Sequence, residues 1–301
     1  MIPPLKNLIF DSCTTTSSMI TRIAPTPSGF MHTGNIYNFL LTWLWARCNN
    51  GKVLLRIDDA DAQRKRTEYV EDIFRVLGWL DLDWDIGPTG PTDFEQNWSQ
   101  IHRYKLYDDL LNELVANNLV FACECSRTNN PGKCICLSKS INLSTPGVAW
   151  RIKVADDSII HFKDRLPGNV SINLSNETGH FIIKRKDGIP AYQITSLADD
   201  RHFKITHICR GQDLLHSTAM QLFIDRQLSS PYFNLCTFWH HPLLNAAEGK
   251  KLSKSAGAQS ASIIQSSNKQ VILNEFAKWI GLETSTNIQL KDLLGLPLFN
   301  Q

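Results

Sequence analysis

Apolar positions recur along this chain in short alternating or clustered runs and in longer helical ones, and the changes between them outline its elements. Ile20 to Ala24 is short and rich in β-branched residues, which fits a strand, although Arg22 inside it requires a polar partner. Pro25, Pro27 and Gly29 then break the chain into a tight turn. Beyond it, Ile36 to Arg47 reads as an amphipathic helix with Asn35 as its N-cap. A second apolar strand, Val53 to Ile57, ends in Asp58-Asp59-Ala60-Asp61 ahead of a helix over Ala62 to Leu77. This strand-helix-strand order is a βαβ unit and predicts a parallel sheet. Ligands of such sheets lie off the carboxyl ends of the strands, where both the proline-rich turn and the aspartates fall.

Trp98 to Asn117 reads as a further long helix with an apolar face. After Cys136 the rhythm changes. Ala149 to Val154, Ile159 to Phe162 and Phe181 to Lys186 look like antiparallel strands, with a turn signal at Pro167-Gly168. A helical or irregular segment then runs to Asp199-Asp200. Thr206 to Cys209 is a short buried strand, and Leu214 to Leu228 a helix. This return of strand and helix predicts the second half of one α/β fold, with the antiparallel region inserted into it. Near the end, Asn268 to Ile280 and Leu290 to Leu294 suffice for a closing helix and one more turn.

Composition narrows the class. The 301 residues can bury a large core, and 43% hydrophobic and 20% charged residues are ordinary for a globular protein. A formal net charge of +2 neither demands nor excludes nucleic acid, so any basic surface must be local. Arg64, Lys65 and Arg66 are one candidate patch, with a solvated helix face as the plainer reading. The longest apolar run, Phe39 to Ala46, is far too short to span a bilayer. Residues 1–18 lack the basic start and apolar core of a secretory signal and read as a disordered leader before Met19. A cytoplasmic monomer is expected.

Two motifs carry the candidate chemistry. The first is Arg22-Ile-Ala-Pro-Thr-Pro-Ser-Gly-Phe-Met-His-Thr-Gly-Asn35. It sets His32, Gly34 and Asn35 at a helix start, where backbone N–H groups and the positive helix end welcome an anion. The second, Lys251-Leu-Ser-Lys-Ser255, puts two lysines on a polar loop. Together they read as two sides of a clamp for a nucleoside triphosphate. Cys123, Cys125, Cys134 and Cys136 form two Cys-x-Cys pairs within fourteen residues, a spacing that argues for tetrahedral zinc in a reducing compartment. A loop with reduced free thiols is the alternative. The other cysteines are scattered.

These motifs resemble those of the class I aminoacyl-tRNA synthetases of the glutamyl type, over roughly residues 19 to 265. Leu55-Arg-Ile-Asp-Asp-Ala-Asp61 and Thr206-His-Ile-Cys-Arg-Gly-Gln-Asp213 add linking segments particular to the glutamate branch. The resemblance implies a Rossmann-like parallel-sheet nucleotide-binding fold. Its catalytic part would span 19–120 and 190–256, with an inserted α+β zinc subdomain over 121–189 and a helical segment over 257–301. It also implies activation of glutamate by ATP with Mg2+. His32, Gly34, Asn35, Asp213, Lys251, Ser253 and Lys254 would meet ATP, with His32, Lys251 and Lys254 catalytic. Arg22, Thr26, Asp58, Tyr192 and Arg210 would meet glutamate, with Asp58 on the α-ammonium where the family usually has Glu.

Only 46 residues follow Ser255, which leads to the expectation that the anticodon-binding domains of a full glutamyl-tRNA synthetase are absent. That expectation and the cysteine cluster resemble the glutamyl-queuosine tRNA(Asp) synthetase branch, which places glutamate on the queuosine base in the anticodon loop of tRNA(Asp). The zinc motif departs from the family pattern of Cys-x-Cys, a longer spacer with a Tyr, then one Cys. Here the spacer is short, lacks Tyr and ends in two cysteines, so Cys134 would replace the tyrosine and Cys136 be the last ligand. A shortened tRNA-charging enzyme, an idle tRNA-binding paralogue and a nucleotidylyltransferase of the same fold are the competing readings.

Overall fold

A computed structural model describes residues 18–126, 134–244, 261–283 and 287–299. In chain order the principal elements are β1 (Ile20–Ile23), α1 (Thr33–Cys48), β2 (Lys52–Leu55), α2 (Thr67–Trp79), α3 (Tyr104–Ala116), β3 (Val120–Cys123), β4 (Ala149–Ile152), β5 (Ile159–Asp164), β6 (Gly168–Asn173), β7 (Phe181–Lys184), α4 (Tyr192–His202), β8 (His207–Gly211), α5 (Leu215–Asp225), β9 (Thr237–His241) and α6 (Lys269–Trp279). They form two compact units. The first takes in the described residues up to Ser99, then Ile205–Asp213, then those from Thr237 onward; the second is Gln100–Lys204 with Leu214–Cys236.

The sheet of the first unit is parallel. β1 and β2 pair from Ile20 opposite Lys52 to Ile23 opposite Leu55, and Ile86 adds a parallel bridge to Leu54. On the other side of β1, the Thr206 N–H donates to the Ile20 carbonyl at 2.9 Å. β8 and β9 pair in parallel with Arg210 opposite His240. Across these two parallel pairs the order β2-β1-β8-β9 bears out the parallel arrangement that the βαβ pattern predicts and the Rossmann-like α/β fold that the resemblance implies. The chain leaves β1 toward β2 on one side and returns as β8 on the other, which creates the switch point where such sheets take ligands.

The α1 helix departs from the pattern in two ways. It is buried on every face rather than one, with each residue from Phe39 to Ala46 inside. The sheet contributes His207 and Trp239, whose rings lie 5.0 and 5.2 Å from that of Trp45, and α6 covers Tyr37 with Phe276 at 5.4 Å. A helix enclosed this way is apolar all round. It also starts earlier than Ile36. His32, not Asn35, takes the extended backbone of a cap, at φ −118° and ψ 169°, and its side chain accepts the Gly34 N–H. Asn35 is the third helical residue, and its Oδ1 accepts the His32 N–H at 3.1 Å, closing a reciprocal capping box.

Two other boundaries shift for visible reasons. α2 starts at Thr67 rather than Ala62, because the chain first turns at Asp61–Arg64, where the Arg64 N–H donates to the Asp61 carbonyl. The run predicted as one helix from Trp98 is broken at Ser99. Its backbone is extended there (ψ 143°), and its Oγ donates to the buried Asp59 at 2.6 Å.

In the second unit, β3, β4 and β7 make an antiparallel sheet in that order, and β5 and β6 form a hairpin. Gly168, at φ +75°, supplies the left-handed residue of the connection, as the Pro-Gly signal indicates. Two fully buried carboxylates organise the helices. Asp199 accepts from Gln100, from the Arg103 guanidinium at 2.8 and 3.0 Å, and from the Tyr107 hydroxyl. Asp225 accepts from Arg201 and from the backbone N–H groups of Tyr232 and Phe233. No helix among the described residues is long and apolar enough to cross a membrane.

Candidate active site

The switch point collects the arginines. Arg22 on β1 and Arg210 near the end of β8 are each 3% exposed. The Arg22 Nη1 donates to the Cys209 carbonyl at 3.3 Å, and the Arg210 Nε donates to His240 Nε2 at 3.3 Å. Guanidiniums of this kind are chemically apt to meet a carboxylate through paired hydrogen bonds. Thr26 is exposed in the turn after β1, where its carbonyl accepts the Ser28 N–H.

Asp58 closes the same end of the sheet. Its N–H donates to the Pro25 carbonyl at 2.8 Å, tying the segment after β2 to the turn after β1. Its buried carboxylate meets the Arg56 guanidinium at 2.6 and 3.1 Å. An ammonium ligand would therefore share this carboxylate with Arg56, a partner that sequence reading overlooked. Both residues lie beyond the end of β2, where strand alternation no longer indicates which side chains share a side.

At the start of α1, the Gly34 N–H donates to His32 Nδ1 at 3.1 Å. That bond fixes the neutral tautomer with its proton on Nε2, a donor available to an anion. Desolvation by the surrounding turn lowers the pKa of His32 from 6.5, although the side chain keeps an exposed face. Gly34 gives the His32 ring its room, since a Cβ there would sit 3.0 Å from the ring and press on it. The preceding Met31 N–H is held by Asp72 of α2 at 3.0 Å, a contact without a sequence signal. The exposed Asp213 follows β8, and its Oδ1 would lie 2.5 Å from a Cβ on Gly211, so glycine there makes room for it. Tyr192 belongs to the second unit, where it is the first residue of α4 and 37% exposed. Lys251, Ser253 and Lys254 lie outside the described residues.

The four cysteines come together in the second unit, all four Sγ atoms within 4.8 Å of one another. Individual separations are 3.5 Å for Cys123–Cys134, 3.8 Å for Cys125–Cys134 and 3.5 Å for Cys125–Cys136. Zinc–sulfur bonds of about 2.3 Å in a tetrahedron put sulfurs about 3.8 Å apart, so the donor set fits Zn2+. Burial raises the Cys123 thiol, but the Cys125 N–H, the Cys134 thiol and Arg151 outweigh it and bring it down to about 7. Cys125, by contrast, is pushed up to about 12 by its hydrogen bond to Cys136 and by burial. The protein thus favours the charged form at Cys123, and a dication would draw the others into it.

The capped helix α1 and the two buried arginines belong to the parallel α/β sheet of the first unit. Residues 18–129 and 140–288 match the family described as tRNA synthetases class I (E and Q), catalytic domain, and the chain belongs to that family. It is 35% identical over 243 residues to the Glutamyl-Q tRNA(Asp) synthetase of Methylococcus capsulatus, covering 79% of this chain and 76% of that protein. It is 32% identical over 295 residues to Glutamate--tRNA ligase 1 of Ehrlichia chaffeensis, covering 91% of this chain and 62% of that one. The crystal structure of the glutamate-tRNA synthetase from Elizabethkingia anophelis shares the fold, with a TM-score of 0.76 at 23% identity over 92% of this chain and 65% of that chain. The chain spans between about half and two-thirds of the length of the glutamate–tRNA ligases it matches.

Proposed function

We propose that the chain activates glutamate with ATP and transfers the glutamyl group to the queuosine base at the wobble position of tRNA(Asp) in the cytoplasm. The observation that carries the choice of acceptor is the 35% identity to the Glutamyl-Q tRNA(Asp) synthetase over most of both chains.

In the first step an α-carboxylate oxygen of glutamate attacks the α-phosphorus of ATP. The bond from that phosphorus to the bridging oxygen breaks, pyrophosphate leaves and glutamyl-adenylate remains. No protein nucleophile is needed, because positioning and charge stabilisation suffice. Mg2+ enters with ATP. The Nε2–H of His32 and the side-chain amide of Asn35 donate to phosphate oxygens at the positive N-terminal end of α1, Gly34 leaves room for them there, and Lys251 and Lys254, with Ser253, supply the facing charge. Arg22 and Arg210 receive the side-chain carboxylate and Asp58 the ammonium, with Thr26 beside them and Asp213 on the nucleotide side. The acceptor on the queuosine base then attacks the acyl carbon and AMP departs. Zn2+ on Cys123, Cys125, Cys134 and Cys136 would act as a structural clasp.

Charging of a tRNA 3′ end is the second reading, favoured by the 32% identity to a glutamate–tRNA ligase across 91% of this chain. The deciding assay is transfer of labelled glutamate, with ATP, to tRNA(Asp) with and without queuosine, and to tRNA(Glu). Label confined to the queuosine-bearing tRNA supports the proposal. Equal labelling of both tRNA(Asp) forms, or labelling of tRNA(Glu), replaces it with the second reading.

A further inference from the structure

His241 ends β9 opposite Gly211 of β8, at the carboxyl edge of the parallel sheet where such folds take ligands. Its ring is buried and approached by an oxygen on each side. Nδ1 lies 2.9 Å from the carbonyl oxygen of Pro242, and Nε2 lies 3.1 Å from Oδ1 of Asn38, in the second turn of α1. Trp279 of α6 meets the ring edge-on at 5.5 Å.

A carbonyl oxygen and an amide oxygen only accept hydrogen bonds. A neutral imidazole has one N–H and serves one of them, whereas an imidazolium donates to both. The ring therefore sits in a seat shaped for two protons. Burial works the other way and lowers its pKa from 6.5, so the ligand-free protein holds the ring neutral at about pH 7. The titratable neighbours divide. Asp213, just beyond β8, favours the second proton, and His240, beside it on β9, opposes it. The contacts from α1 and α6, Asn38 and Trp279, carry no charge.

A polyanion at this edge of the sheet adds negative potential, which favours the charged form of a buried histidine. His32 is unsuited to the same response, because its Nδ1 accepts the Gly34 N–H and a proton there would break the cap of α1. His241 gains a hydrogen bond from its second proton instead of losing one.

We propose that His241 takes up a proton when a nucleoside triphosphate binds, and that the imidazolium then ties the end of β9 to α1 through both ring nitrogens. The inference rests on the ATP-binding reading of the site given above. Binding is then proton-linked: ATP affinity falls as pH rises from the pKa of the free ring to the higher pKa of the ring in the complex.

The test is titration calorimetry of magnesium-ATP into the full chain at about pH 7, in buffers of different ionisation enthalpy, which counts the protons taken up. Wild type should take up about 0.3–0.5 proton more than His241→Gln, whose amide does not titrate. Protonation of ATP itself cancels in that comparison. Asn38→Ala keeps the histidine but removes the acceptor of its second N–H, and should lose most of the same difference. In pyrophosphate exchange, the ATP KM of wild type should rise about threefold more than that of either variant between about pH 6.5 and pH 8. Equal proton counts in wild type and a folded His241→Gln variant overturn the proposal, as does Asn38→Ala with the full wild-type count. If His241→Gln does not fold, the Asn38→Ala comparison decides alone. Wild-type protein that binds no ATP overturns the reading of the site, and the role of His241 with it. ATP binding with a proton count indifferent to positions 38 and 241 overturns only the role of His241.

Discussion

Asp72, fully buried on α2, accepts the backbone N–H of Met31 at 3.0 Å, one residue before the capping histidine of α1. A side chain from a different helix thereby fixes the entry of the chain into the candidate anion site. Asp72→Ala would leave the Met31 N–H buried without an acceptor, a loss of about 1–3 kcal/mol. Urea unfolding should show that loss, and pyrophosphate exchange should slow as the His32 turn loosens. Asp72→Asn retains an acceptor and should lose less on both counts.

Gly34→Ala separates activity from stability. Alanine inside a helix is favoured over glycine by about 1 kcal/mol, but its Cβ would press on the His32 ring. The expected variant melts no earlier than wild type and forms adenylate about tenfold more slowly, since small misplacements of a reacting group are costly. An unchanged exchange rate would remove His32 from the site.

Acid should weaken the fold before carboxylates titrate. Burial lowers the pKa of His32, His180 and His241 from 6.5. His180 in addition accepts the Val154 N–H at its Nδ1 and loses that bond on protonation. With folded values below the unfolded one, the unfolded chain binds protons first as pH falls through 6.5, so stability declines there and is fully present above it. Urea midpoints at about pH 7.5 and pH 5.5 should differ in that direction. Replacing His180 by Gln should shrink the difference; a flat profile in wild type would contradict the linkage.

Asp199 gathers three side chains of the second unit on one buried carboxylate. Asp199→Ala would remove the buried carboxylate shared by the guanidinium of Arg103, which is 11% exposed, the Tyr107 hydroxyl and the Gln100 amide. Breaking a buried ion pair from one side costs about 3–5 kcal/mol. Thermal melting should fall accordingly, whereas Lys105→Ala, which removes the exposed pair with Asp109, should leave it nearly unchanged.

Metal analysis should return about one zinc per chain, with cobalt substitution giving the absorption of a tetrahedral tetrathiolate. Cys134→Ser should lower the zinc content and the melting temperature together. Full zinc content in that variant would leave three cysteines as the ligand set.

The elements most legible in the sequence are those whose side chains obey one period. β1, β2 and the turn between β1 and α1 follow from β-branched residues and prolines, and the paired Cys-x-Cys spacing foretells four sulfurs in one place. β9 passes unseen because Thr237, His240 and His241 look polar, yet the strand buries both histidines against its neighbours. β3, Val-Phe-Ala-Cys, is four residues of continuous burial and carries no alternation to read. The contacts of Asp72 with Met31 and of His240 with Arg210 depend on tertiary neighbours 41 and 30 residues away, and no local rule encodes them.

The strand β8 makes a brief visit to the first unit between two excursions through the second, and Thr206 joins Ile20 across 186 positions of chain. A ribosome adding about 5–20 residues per second needs roughly 10–40 s to bring those two residues into the same molecule. For that interval the open edge of β1 has no partner of its own. Slowing translation ahead of β8 should therefore lower the yield of native protein more than slowing it after β9.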